Sequence, residues 1–182
     1  MSRKRLSKRD ANKNISNEEK MLDDNDFIVS KTDTKGFITY CNQIFVDMAG
    51  WDAGDLIGAN HNIIRHPDMP KLAYKVLWST IQAKKEFFGF VKNLRKNGGF
   101  YWVFAYITPD IDLNGNIIGY SSFRRKPPRS AIEKITPIYK MLVDAENRGG
   151  MDASEKLLNE YLKDNNTTYN ELVINLQKDI RI

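Results

Sequence analysis

The chain has 182 residues, of which 41% are apolar, 28% charged and 11% aromatic, a composition that excludes disordered and fibrous proteins and suits one ordinary domain of ~100–150 residues with extensions. No apolar run reaches the ~20 residues that cross a bilayer, no apolar h-region follows the basic N-terminus, and the single cysteine, Cys41, supports neither an internal disulfide nor a cysteine-built zinc site, so a cytoplasmic protein is expected. The net charge is +5, but Arg3, Lys4, Arg5, Lys8, Arg9 and Lys13 stand against Asp10 in the first fourteen positions and leave 22 basic and 22 acidic residues elsewhere; the body then has no excess charge to draw nucleic acid or an anionic membrane.

Residues 1–26 divide into this basic tail, expected to be flexible, and a short helix, because Ser16 and Glu19 have capping-box spacing ahead of Lys20, Met21 and Leu22. From Phe27 the signal changes to strand: Phe27-Ile28-Val29, the turn residues from Thr32 to Gly36, then Phe37-Ile38-Thr39-Tyr40 predict a hairpin. Short helices follow over 42–49, closed by Gly50, and over 51–58. The polar segment 59–70 has no regular period, whereas 71–85 sets Ala73, Leu77 and Ile81 on one helical face behind Pro70. Three β-rich runs at 87–94, 99–108 and 116–123 are separated by Lys96-Asn97-Gly98 and by Asp112-Leu113-Asn114-Gly115. The order predicts an α+β domain over 27–127, a five-stranded antiparallel sheet with helices across one face enclosing a pocket.

Residues 128–182 are expected to be a helical extension. Capping-box pairs Ser130/Glu133, Asp152/Glu155 and Thr168/Glu171 mark three starts, Gly149-Gly150 a stop and Pro137 a kink. The apolar stripes, Ile132, Ile135, Tyr139, Leu142 and Val143, then Tyr169, Leu172, Val173, Leu176 and Ile180, either pack back on the domain or bind a partner or a second copy of the chain, since an amphipathic face does not name its mate. No internal repeat is present.

The string from His61 to Pro70 (HNIIRHPDMP), then Leu77-Trp78, Val91-Lys92-Asn93-Leu94-Arg95-Lys96-Asn97-Gly98, Tyr101-Trp102-Val103 and Gly119-Tyr120, together resemble the PAS domain of Aer-like energy-taxis redox sensors from about Phe27 to about Leu142. The resemblance implies a PAS fold that holds FAD non-covalently and relays the redox state of the flavin to a signalling partner, a membrane-bound HAMP-containing chemoreceptor-like protein; a homodimer is a further expectation. Carried over position by position, it implies flavin-pocket roles for Asn42, His61, Arg65, His66, Asp68, Trp78 and Asn93. Arg65 suits a diphosphate as a planar fork and His66 as a donor, while Asp68 orients Arg65 or caps the following helix. The Asn93 amide both donates and accepts, so it can answer a change in protonation of the ring. Phe87 stands where many relatives carry tryptophan, which keeps stacking but loses the indole N–H.

Two other readings remain open on the residues alone: a PAS interaction module without cofactor, and a haem sensor with His66 or His61 as axial ligand. A metal site from His61, His66 and Asp68 lacks a full ligand set, and Cys41 lies away from the helix a flavin–cysteine adduct would need. No nucleotide-binding glycine loop, Gly-x-Ser-x-Gly elbow or paired-histidine zinc motif is present, so a non-enzymatic sensor is expected.

Overall fold

A computed structural model describes residues 6–11 and 13–178 of the chain. Five strands, β1 (Ile28–Thr32), β2 (Ile38–Cys41), β3 (Phe87–Leu94), β4 (Phe100–Ile111) and β5 (Ile117–Arg125), form one sheet in the order β2-β1-β5-β4-β3, antiparallel throughout. Between β2 and β3 lie α1 (Gln43–Ala49), α2 (Ala53–Leu56), a 3-10 turn (His61–Ile64) and α3 (Lys71–Gln82). After β5 come α4 (Arg129–Asp164) and α5 (Tyr169–Lys178). The α+β sheet expected from the sequence is thus present, with β1 and β2 as its hairpin. Among the described residues no helix is long and apolar enough to cross a membrane.

The two-residue period of the strands sorts the side chains. Val91 and Asn93 of β3, Tyr101, Val103, Ala105 and Ile107 of β4, and Ser122 and Arg124 of β5 share one face, since Asn93 pairs with Tyr101, Val91 with Val103, Ala105 with Arg124 and Ile107 with Ser122. That inner face packs with α1, α2 and the 3-10 turn, where Ile28, Phe45, Leu56, Ile63, Tyr101 and Val103 form a buried cluster, and with α3 through Ile81 against Tyr120. The alternate residues Phe90, Trp102 and Phe104 meet Ile132, Ile135, Tyr139, Leu158 and Val173 in a second cluster. The C-terminal helices therefore pack back on the sheet and cover its outer face at β3 and β4.

They also hold α3. Pro70 precedes that helix and offers no side-chain cap; instead the Lys71 and Leu72 N–H groups donate to Glu146 Oε2 and Oε1 at 3.1 and 2.8 Å, and Lys75 Nζ meets Glu155 at 2.6 Å. A carboxylate from α4 thus satisfies orphan N–H groups of α3 and complements its dipole. Asp68 does not cap α3: its carboxylate pairs with Lys92 Nζ at 2.7 Å.

Three local expectations change. Residues 16–22 are not a helix, because the Ser16 and Lys20 N–H groups donate to Gly98 O and Phe100 O and the Phe100 N–H to Glu18 O, at 2.8–2.9 Å; pairing with the start of β4 gives more than a capping box at the head of so short a helix. The part of the basic tail that is described is ordered, a 3-10 turn at Lys8–Asp10 closed by a Ser7–Asp10 capping box, with Leu6 and Ala11 against the inner cluster; Arg3, Lys4, Arg5 and Ile180 lie outside the described residues. In the extension the Thr168/Glu171 box forms, but α4 begins at Arg129 behind Pro128 rather than at Ser130. Its break falls at Gly150 (φ 77°, ψ −172°), while Pro137 keeps helical angles.

At the β3 edge α5 approaches Gly89. A Cβ there would lie 2.8 Å from the Phe87 ring and 3.1 Å from the Tyr169 hydroxyl, so Gly89→Val is expected to cost about 1–3 kcal/mol by overpacking, read as a lower denaturant midpoint together with faster proteolysis within α5.

Candidate functional site

A cavity of about 310 Å³ lies between the inner face of the sheet, α3 and the 3-10 turn, at the lower end of the ~300–1,000 Å³ of small-molecule pockets. Leu77, Trp78 and Ile81 of α3 and Val91, Ala105 and Ile107 of the sheet make its apolar walls, and Trp78 stands edge-on to Tyr120 at 5.5 Å between ring centres. Residues of this lining also carry polar atoms that are buried and have no hydrogen-bond partner: Asn93 Nδ2, Ser122 Oγ, Arg124 Nη1, Asn62 Oδ1 and Arg65 Nε. Natives satisfy most buried polar groups, so orphans converging on one cavity mark a place where a polar ligand completes them.

His61, Arg65, Trp78 and Asn93, four of the expected positions, line this cavity. The His61 ring is parallel to Phe45 at 5.5 Å, and its Nε2 lies 2.7 Å from Arg124 Nη2 and 3.3 Å from Ser30 Oγ. Because a guanidinium only donates, His61 Nε2 is the acceptor and the ring is the neutral Nδ1–H tautomer; burial, and then the Arg124 charge, push its pKa down to about 3. A cation this close opposes metal or haem ligation through Nε2. Arg65 lays its guanidinium over the Tyr74 ring, 3.4 Å from the centroid, and its backbone bridges to Asn93. The loop carrying the arginine is thereby tied to the strand carrying the amide.

Asn42, His66, Asp68 and Phe87 do not line the cavity. Asn42 is a structural joint: its Oδ1 accepts from the Phe45 and Val29 N–H groups at 3.2 and 3.0 Å and its Nδ2 donates to Phe27 O at 2.7 Å. His66 is 2% exposed, sits edge-on to Phe100, accepts the Asp68 N–H at Nδ1, and keeps its Nε2 buried without a partner, off the cavity lining. Asp68 is paired with Lys92 and does not reach Arg65. Phe87 is buried and stacks on Tyr169 at 6.0 Å, because α5, far along the chain, brings a ring to it. Cys41 lies on β2, off the cavity, its thiol pushed up by burial.

Arg124, Ser122, Tyr74, Asn62 and Ser30 also line the cavity and were not given site roles from the sequence. The alternation Tyr120, Ser122, Arg124 along β5 was the available signal: it puts an arginine on the inward face of a strand, where a charge is costly without a reason.

The cavity lining suits the ring system of a flavin: apolar walls from α3 and the sheet, with an amide, a hydroxyl and a guanidinium that could meet its polar pyrimidine edge. It is too small for a whole dinucleotide, whose phosphates would have to lie outside; Arg65 is the cavity group suited to them by its planar fork.

Residues 38–124 match the PAS fold family. Over 121 residues the chain is 40% identical to the aerotaxis receptor of Escherichia coli, covering 66% of this chain and 24% of the receptor, and over 105 residues it is 27% identical to the nitrogen fixation regulatory protein of Klebsiella pneumoniae, covering 58% and 21%. The chain thus spans about a quarter or less of these relatives. The fold is also that of light-oxygen-voltage domains: one studied through a flavin analogue superposes with a TM-score of 0.56 at 18% identity over 60% of this chain and 84% of its own, and that of the photoreceptor Aureochrome1 with 0.53 at 20% over 66% and 91%. Residues 38–124 therefore carry the PAS fold, and the chain is similar there to part of an aerotaxis receptor.

Proposed function

We propose that this PAS domain binds a flavin, FAD, non-covalently in the cavity and relays its redox state to a separate signalling protein, a membrane-bound HAMP-containing chemoreceptor-like partner. The observation that carries this reading is the set of orphaned polar atoms, Asn93 Nδ2, Ser122 Oγ and Arg124 Nη1, on one apolar slot, and likeness to an aerotaxis receptor supports it. When bound, a flavin supplies reversible electron uptake; the protein's part is to hold the ring and sense it. Trp78, Leu77 and Val91 would pack against the ring and keep water from it, and Arg65 would hold the phosphate end.

Asn93 is the sensing group. Its amide would offer either a donor or an acceptor to a ring nitrogen that changes from one to the other, and its Nδ2 has no protein partner to hold it in one orientation. Its strand carries the change outward, since Phe90 O, three residues along β3, accepts the Tyr139 hydroxyl of α4 at 2.8 Å, and Tyr139 OH lies 3.5 Å from Tyr169 OH of α5. The helices on β3 are thus the element that the cavity biases.

The first test is an absorption spectrum before and after dithionite, with the chromophore identified by mass after release; bleachable flavin bands with FAD released are expected, and a colourless protein that takes up no added FAD overturns the reading. In Asn93→Ala, flavin is expected to remain bound while the difference in α4 and α5 hydrogen exchange between oxidised and reduced protein disappears. An unchanged difference would remove Asn93 from the relay.

A further inference from the structure

Arg124 is 4% exposed. Its Nη2 donates to Ser30 Oγ at 2.9 Å and to His61 Nε2 at 2.7 Å, and its Nη1 is buried without a partner. The groups around it are neutral: His61 from the 3-10 turn, the Phe45 ring of α1 at 5.3 Å, Tyr74 of α3 and Tyr101 of β4, both phenols pushed up by burial. Among the described residues no carboxylate is set against it, and the next charge on the cavity, Arg65, is also positive. Burial lowers its pKa to about 10, which still leaves it charged at neutral pH. A buried cation without an anion costs several kcal/mol, and proteins hold buried charges in pairs or against a ligand.

We propose that Arg124 is the anion receiver of this cavity: the ligand presents to it a planar edge with negative or strongly electron-rich oxygen, carboxylate-like or imide-like, and completes the charge pair that the chain leaves open. His61 is its positioning residue. Held neutral, it fixes one guanidinium nitrogen by acceptance and leaves the other free to donate to the ligand. The inference goes beyond the flavin reading, because it specifies the charge at one end of the ligand whatever the rest of it is. If the ligand is a flavin, Arg124 favours the more electron-rich reduced ring over the oxidised one, a preference that by linkage makes the bound flavin easier to reduce.

Two isosteric probes that differ in charge, benzoate and benzamide, test this by thermal shift and calorimetry on the full chain. Benzoate is expected to bind the wild type about tenfold or more tightly than benzamide, since hydrogen bonds to a desolvated charge are the strong ones. Arg124→Met is expected to erase that preference and, without any ligand, to unfold at a higher temperature than the wild type, because an uncompensated charge is replaced by an apolar chain of similar length and Ser30 and His61, 3.3 Å apart, can pair with each other. Arg124→Lys, which keeps the charge and loses the fork, is expected to retain part of the preference and serves if the methionine variant does not fold. Equal binding of the two probes by wild type, failure of both to bind, or a benzoate preference that survives Arg124→Met each overturns the proposal. A wild type that takes benzoate but neither FAD nor riboflavin overturns the flavin reading and leaves this one standing.

Discussion

A chain cut after Pro128 is expected to lose the stability of its sensor domain. It would uncover Phe90, Trp102 and Phe104, which are 1–8% exposed when α4 is in place, and it would remove Glu146, whose carboxylate satisfies the first N–H groups of α3. Since α3 contributes Tyr74, Leu77, Trp78 and Ile81 to the cavity, the loss reaches the site as well as the core. Burial of a single large side chain is worth about 1.5–3 kcal/mol and a lost cap about 1 kcal/mol, so the truncated domain is expected to melt more than about 10 °C lower and to bind the dye ANS. Within the full chain, Ile135→Ala, at a residue with no exposure in the outer cluster, is expected to cost about 2–5 kcal/mol by opening a cavity. A truncated domain as stable as the whole chain would mean that the helices only rest on the sheet.

Acid is expected to destabilise the protein well above the usual carboxylate range. His61 is held to about 3 by burial and Arg124, and His66 to about 4 by burial and Lys92, with Asp68 opposing; both titrate near 6.5 when unfolded. Folded, they stay neutral where the unfolded chain takes up protons, so the stability they contribute is present in full above about pH 6.5 and is lost as pH falls toward the folded values. Each proton taken up on unfolding costs at most about 1.4 kcal/mol per pH unit. Urea midpoints at a series of pH values from 7.5 to 4 are the measurement, and His61→Gln is expected to reduce the slope, since glutamine accepts from Arg124 without titrating. A midpoint that does not move between pH 7 and 5 contradicts the buried neutral rings.

The architecture was legible because its signals are local. Alternation over 87–94 and the turn residues at 96–98 and 112–115 place β3, β4 and β5 within a few residues of their observed bounds, and Pro70 followed by the spacing of Ala73, Leu77 and Ile81 places α3. What failed was decided by residues distant in sequence. The capping box at Ser16 is genuine as a pattern, yet Phe100 offers that stretch a strand-like partner; Phe87 is taken by Tyr169, and the cap of α3 comes from Glu146. Within the site, the family resemblance carried His61, Arg65, Trp78 and Asn93 to positions that line the cavity. The loop motif did not tell which of its polar residues turn inward: His66 and Asp68 point to Phe100 and Lys92 instead. Arg124 escaped because Phe123-Arg124-Arg125-Lys126 resembles the wet end of a strand, which masks the alternation with Tyr120 and Ser122 until the register sets Arg124 and Ser122 on the cavity side.

The break at Gly150 bears on mechanical reach. Its φ of 77° with ψ of −172° belongs to a region open essentially to glycine alone, and it is what lets the 36 residues of α4 turn back so that Leu158 joins the outer core and Glu155 meets Lys75. Without that torsion the same residues would run straight as a rod of roughly 54 Å at 1.5 Å per residue, lifting Leu158 from its seat and carrying α5 away from β3. The reach of the extension is thus set at one residue: turned at Gly150, it seals the domain instead of projecting from it.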